Sequence, residues 1–239
     1  MLNLSKQERL RQRYREMQAG WRPSLDIYTE MMSGLVNENT RILDAGCGPG
    51  GLVKDYVGTA RLVIGADRYA ASFQEPAEIT NLVGADLTAL PFPDNTFDLI
   101  ACSWVLEHLA APEVTFREIV RVLKPGGHFT FITPNALNYT VWMRRAIPDT
   151  LSKRVVSAIY ARDEDFINPT FYRANSPATL DRLLTSVGLN RVRLESIGDP
   201  TYLAFNEVLF RLTIGIERVI GALWPQSRVH LVGLYRKRS

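Results

Sequence analysis

The stretch Ile42-Leu43-Asp44-Ala45-Gly46-Cys47-Gly48-Pro49-Gly50-Gly51 decides the fold. Ile42 and Leu43 belong to an apolar run. The glycines after it read as a turn between a buried strand and a helix, where main chain can approach a nucleotide-like cofactor because no side chains stand in the way. Gly46, Gly48 and Gly51 satisfy the G-x-G-x-x-G dinucleotide fingerprint, which alone points to NAD or FAD. Asp44 before the first glycine and Gly50 after the second change the pattern to D-x-G-x-G-x-G.

Outward from this turn, short apolar runs alternate with helical stretches. Strands are expected at Arg41 to Ala45, Arg61 to Ala66, Asn81 to Val83, Phe97 to Ser103 and His128 to Thr133, with helices at Gly51 to Tyr56 and Pro112 to Leu123. Continuous apolar strands separated by helices predict a parallel sheet covered on both faces, an α/β doubly wound fold. A later helix, Ser176 to Val187, ends at Gly188, and strands at Arg191 to Ile197 and Val229 to Tyr235 follow. Ahead of the turn lie a charged helical arm over residues 5–18 and a helix from Ser24 to Leu35, with Ser24 as its cap. The arm is assigned to residues 1–35 and the α/β domain to 36–239.

Together with Phe92-Pro93-Asp94-Asn95-Thr96-Phe97-Asp98-Leu99-Ile100, Val105-Leu106-Glu107-His108-Leu109 and Leu123-Lys124-Pro125-Gly126-Gly127, the D-x-G-x-G-x-G turn resembles class I S-adenosylmethionine (SAM) dependent methyltransferases of the small-molecule type, including those acting on quinones and natural products. The resemblance covers roughly residues 40–135 and continues more weakly from Thr179 to Leu189. It implies a Rossmann-like sheet of seven strands, one of them antiparallel, with SAM as the cofactor. SAM carries an already activated methyl group, so the protein must grip the cofactor, align an acceptor lone pair and remove a proton where the acceptor demands it.

The residues fit the first of those tasks. Gly46, Cys47, Gly48 and Gly50 would let main chain pass beside the methionine and ribose portions, and Asp44 would sit near the cofactor's ammonium group. Asp67 ends the second strand, about 20 residues beyond the turn, where a carboxylate accepts hydrogen bonds from ribose hydroxyls. By the resemblance, Arg68 flanks the adenine, Asp86 receives its amino group and Leu87 supplies a backbone donor; Ser103, at the end of the fourth strand, completes the set. A simple dehydrogenase accounts for Gly46, Gly48, Gly51 and Asp67, but not for Asp86, Phe97-Asp98 or the Lys124-Pro125-Gly126-Gly127 turn. A SAM-binding domain without catalysis is the alternative outside enzyme chemistry.

Bulk properties narrow the acceptor. With 46% hydrophobic and 22% charged residues the chain is ordinary globular protein, and a net charge of +3 gives no reason to expect nucleic acid. Amino-methyltransferases of nucleic-acid bases carry an Asn/Asp-Pro-Pro-Tyr type motif after the fourth strand, where this chain has Ser103-Trp104-Val105-Leu106. Cys47 and Cys102 form neither a disulfide framework nor a zinc site, and no metal is expected. The polar start, Met1 to Gly20, and the lack of a long apolar run predict a cytoplasmic protein, at most peripheral to a membrane. A small-molecule acceptor remains, a metabolite or a glycan or lipid precursor, with a hydroxyl oxygen first and nitrogen or carbon open.

His108, just past the fourth strand, is a candidate base for a hydroxyl proton; bracing of the cofactor loop by Glu107 and His108 is the competing reading. Tyr139 and Tyr172 are the other candidates, from an aromatic and arginine-rich insert at 136–175. His128 and His230, at strand starts, read as structural. A second insert, 198–227, has a helical period: Phe205, Val208, Leu209, Leu212, Ile216, Val219, Ile220 and Leu223 share one face, broadened by Phe210 and Ile214, with Glu207, Arg211 and Arg218 opposite. Both inserts are expected to form a lid over the cofactor and the acceptor pocket. The apolar stripe fits packing on its own domain, a homodimer interface or a membrane surface.

Overall fold

Ile42, Leu43 and Ala45 expose no surface, and the strand they form, β1 (Arg41–Ala45), lies between two parallel neighbours, β2 (Leu62–Asp67) and β4 (Phe97–Ser103). The computed structural model describes residues 4–49, 51–70, 79, 81–145 and 169–239. With β3 (Leu82–Gly84), β5 (Leu123–Pro134), β6 (Leu189–Ile197) and β7 (His230–Lys237), these strands make one seven-stranded sheet in the order β3-β2-β1-β4-β5-β7-β6. The first five strands run parallel, and β7 is antiparallel to both β5 and β6. The order reverses between β1 and β4, which opens a crevice at their carboxyl ends.

The six described α-helices are α1 (Leu4–Met17), α2 (Ser24–Ser33), α3 (Pro112–Val122), α4 (Tyr139–Arg145), α5 (Pro177–Ser186) and α6 (Glu207–Leu223). Pro112 opens α3 at a position that needs no intrahelical N–H, and Thr115, Phe116, Ile119 and Val122 then bury one helical face. They join Phe97, Phe129, Phe131, Leu180 and Leu184 in the core on that side of the sheet. On the other side Tyr28 and Met32 of α2 pack against Ile42, Val63, Leu99 and Ile132.

The Lys124-Pro125-Gly126-Gly127 turn lies at the amino ends of the strands, opposite the crevice. Lys124 Nζ meets Asp98 Oδ1 at 2.7 Å, and the Arg41 N–H donates to Asp98 Oδ2 at 2.9 Å. Gly126 takes a φ of +76°, and a Cβ on Gly127 would crowd the carbonyl oxygens of Lys124 and Asp98. This motif therefore closes the sheet and lines no part of the crevice.

Four expectations change. Ser24 is the first residue of α2 and not its cap, since Pro23 holds the cap position and Ser24 Oγ lies 2.8 Å from His230 Nδ1 instead. The helix from Gly51 to Tyr56 is only a 3-10 turn, Lys54–Tyr56, because Gly51 is pressed beneath Asp44 and Val53 is drawn fully into the core. The fifth and sixth strands begin earlier than the apolar runs, at Leu123 and Leu189. Helix α6 packs on its own domain, but through Phe210, Thr213, Ile214 and Glu217 rather than the long apolar stripe. The reason is α1, whose Tyr14 and Leu10 receive Phe210 and Ile214, while Thr213 Oγ1 donates to the Pro200 carbonyl at 2.7 Å. Gly50 and residues 146–168 of the first insert, with Tyr160 and Phe166, lie outside the described residues.

Candidate active site

At the carboxyl end of β1 the chain turns through Gly46 (φ +80°) and Gly48 (φ +57°), conformations that side chains with a Cβ rarely adopt. A Cβ on Gly46 would also overlap Val105, which follows β4, so the turn lies directly against the next strand's exit. The Gly46 N–H donates to Ala66 O at 2.7 Å, and the Gly48 N–H donates to Asp67 Oδ2 at 3.0 Å. The Tyr69 N–H holds the other Asp67 oxygen at 2.9 Å. Asp67 is thus fixed at the end of β2 beside the turn.

Asp44 is wholly buried, and neither carboxylate oxygen has a hydrogen-bond partner of ordinary geometry, although the Val53 N–H lies close enough to temper its charge. Burial first, then the charge of Asp67, raises its pKa to about 7. A Cβ on Gly51 would overlap Asp44 Oδ2, which explains the last glycine of the motif. Cys47 turns its thiol into the core against Gly65 and is pushed up to about 12, by burial first and then by Asp44 and Asp67.

Further along the edge, Arg68 donates to Asp86 Oδ2 at 2.7 Å, while Thr88 gives Asp86 Oδ1 both its N–H and its hydroxyl. Those Thr88 bonds, then Arg68, hold the Asp86 carboxyl below its ordinary range. Leu87, next to Asp86, is half-buried, as is Ser103 at the end of β4 on the other side of β1. Trp104, immediately after Ser103, takes a left-handed φ of +58° and sets its ring edge-on to His230, centroids 4.9 Å apart.

Two of the three catalytic candidates lie on segments that the structure ties together. His108 Nδ1 lies 2.8 Å from the Pro169 carbonyl, and the Phe171 and Tyr172 N–H groups donate to the Glu107 carbonyl. The Glu107 side chain is buried and accepts from Thr133 Oγ1 at 3.0 Å. Tyr139, at the start of α4, belongs to a different neighbourhood: burial, Glu217 and Asp199 raise its phenol to about 12.

That second neighbourhood went unnoticed in the sequence. Asp199 is buried, accepts from Arg11 Nε of α1 at 2.9 Å and from Thr201, and contributes with burial to lifting Glu217 to about 7. His230, expected as structural, is buried between Ser24 Oγ (2.8 Å from Nδ1) and Tyr202 OH (2.5 Å from Nε2), and burial lowers it to about 4. Tyr28 of α2 is also pushed up, by burial first and then by Asp44. No spacing rule signals these contacts, since Ser24 and His230 stand 206 residues apart.

A family model described as "Methyltransferase domain" matches residues 43–131. The demethylmenaquinone methyltransferase of Chlamydia trachomatis is 32% identical over 108 residues, 42% of this chain and 47% of that protein. The enzyme of the same name from Corynebacterium kroppenstedtii is 34% identical over 126 residues, 49% of this chain and 54% of that one. The chain thus spans about half the length of the curated relatives it matches. In fold, it superposes on an S-adenosylmethionine dependent methyltransferase from Mesorhizobium loti with a TM-score of 0.56 at 19% identity, covering 89% of this chain and 96% of that one. Residues 43–131 thus match the methyltransferase-domain family model, and the sheet around them has the fold of an S-adenosylmethionine dependent methyltransferase.

Proposed function

We propose that this chain moves the methyl group of SAM onto a hydroxyl oxygen of a small molecule. When bound, SAM supplies a methyl group activated by its sulfonium charge. The observation that carries the reading is Asp44: a buried carboxylate without a partner, at the open end of a strand, is costly unless a cation completes it. The cofactor's ammonium group is such a cation, reached directly or through water. Asp67, already oriented by two backbone N–H groups, keeps lone pairs for ribose hydroxyls. Gly46, Cys47, Gly48 and Gly50 serve through main chain, the paired Arg68 and Asp86 border the adenine with Leu87, and Ser103 closes the β4 side.

For the acceptor, His108 has the chemistry of a base. The Pro169 carbonyl only accepts, so the proton of the neutral imidazole sits on Nδ1 and Nε2 keeps a lone pair for a substrate hydroxyl. Tyr139, whose phenol is raised to about 12 beside Glu217 and Asp199, stays protonated near neutrality and is the lesser candidate, while Tyr172 shapes the wall held by Glu107. The names of the two relatives make a quinone-type ring the first acceptor class to try.

Calorimetric titration with S-adenosylhomocysteine and with NADH tests the cofactor assignment. Tight binding of the former alone is expected, and binding of NADH alone overturns it. A screen for transfer of radiolabelled methyl from SAM to hydroxylated metabolites then tests catalysis, with failure across the screen favouring a binding-only domain.

A further inference from the structure

The outer side of α6 is almost bare of charge. Val208 and Leu223 are 70% and 81% exposed, and Leu212 and Val219 are exposed between them. At 100° per residue these four, with Gly215, Ile216 and Ala222, form one continuous arc opposite the buried Phe210, Thr213, Ile214 and Glu217. Leu209 and Ile220, both half-buried, line one margin of the arc, and Glu207, Arg211 and Arg218 line the other. Glu207 is held between Arg13 and Arg211, so this margin carries net positive charge.

The apolar surface continues past the helix end. Trp224 is exposed and stands 6.0 Å, ring to ring, from the exposed Trp142 of α4, next to the exposed Met143. Asn135 and Asn138 bind the two elements together through the carbonyls of Gln226, Ser227 and Arg228 at 2.6–2.8 Å. Asn135 directly follows β5, so this surface is fastened to the same sheet edge as the crevice.

We propose that α6, with Trp142, Met143 and Trp224, seats the protein on an anionic lipid surface. A convex apolar stripe with indoles at one end and arginines along one margin matches the boundary between acyl chains and headgroups, where aromatic rings rest and guanidinium groups meet phosphates. A second copy fits less well. Antiparallel twofold pairing sets the arginine margin against itself, and parallel pairing sets it against the partner's leucine and isoleucine margin. Where methyl transfer is the activity, the acceptor class this favours is an amphiphile whose reactive group reaches the crevice from the bilayer. The docking claim itself does not depend on that activity.

Flotation with vesicles, without cofactor or acceptor, tests it. The full chain should float with phosphatidylcholine vesicles containing about one part in three phosphatidylglycerol, and far less with phosphatidylcholine alone. Leu212→Glu combined with Val219→Glu should cut vesicle affinity more than about tenfold. Arg211→Gln and Arg218→Gln should each cut it about fivefold. These side chains are exposed, and unchanged binding of S-adenosylhomocysteine verifies that the variants fold. Absence of flotation with either vesicle, or flotation undiminished by the double glutamate variant, overturns the proposal. So does a wild-type dimer in light scattering that the same variant splits, which would identify the occupant as a second copy.

Discussion

Asp44 and Glu217 share a physical description and differ in what surrounds them. Each is buried, each has at least one carboxylate oxygen without a partner, and each is raised to about 7, by burial first and a neighbouring aspartate second. Each is also roofed by a glycine with no room for a Cβ, Gly51 over Asp44 and Gly198 over Glu217. No cation moderates Asp44, whereas Arg228 lowers Glu217. Glu217 borders a cavity of about 600 Å³ that is also lined by Arg22, Arg193, Arg218 and Arg228. A lone buried acid therefore does not identify a ligand site. The charge around it does: the ionisable group acting on Asp44 is Asp67, another acid, so a positive charge is left to be supplied.

The largest test of that contrast is Asp67→Ala, which should weaken S-adenosylhomocysteine binding several hundredfold by calorimetry, since hydrogen bonds to a charged group contribute about 1.5–3 kcal/mol each. Binding within a few-fold of wild type would move the cofactor away from the glycine turn. His108→Ala comes next, with kcat/KM falling about a hundredfold and S-adenosylhomocysteine affinity nearly constant. The opposite split would reduce His108 to an anchor for the segment at Pro169.

Asp44 predicts a pH dependence of known sign. Its pKa of about 7 means the carboxylate gains its charge between about pH 6 and pH 8, so affinity for the cofactor's ammonium should rise about tenfold over that interval. Asp44→Asn should bind weakly and without slope. In Glu217 the same elevation appears as stability instead. Its folded pKa of about 7 lies above the ordinary glutamate value of 4.5, so its protonated form supports the fold fully at low pH and that support is lost as pH rises through 7. Glu217→Gln should therefore raise Tm at pH 8 by several degrees, on the order of 2 kcal/mol, and change it little near pH 5. Equal shifts at both pH values would show that packing rather than ionisation sets the cost.

The half of the sheet around Asp44 was legible because its determinants are local. Ile42 and Leu43 announce β1, the glycines announce the turn, and Asp67 and Asp86 stand at strand ends the apolar runs already mark. Gly51 to Tyr56 was misread because its apolar side chains look like a helix start, while the space beneath Asp44 admits only a 3-10 turn. The other half resisted because its determinants are distant. Nothing within α6 reveals that α1 brings Arg13 over the Phe210 ring, or that Lys6 reaches the Phe205 carbonyl, so periodicity described the stripe without saying which side faces inward. The polar chain from Ser24 through His230 to Tyr202 likewise exists only after folding.

The place of β7 in the sheet has a consequence for how the molecule is made. It follows β6 in sequence yet lies between β5 and β6, and Lys237 reaches across to the carbonyls of Val120 and Leu123 at 2.7 Å. During synthesis β6 has no neighbour to pair with, and the inner edge of β5 stays open, until residues 230–237 have emerged. The β5 edge therefore stays unsatisfied from residue 134 and the β6 edge from residue 197 until residue 237, which makes assembly of this side of the sheet a late event dominated by long-range pairing. A nascent chain stalled before β7 would be a sticky half-sheet and a natural client for chaperones.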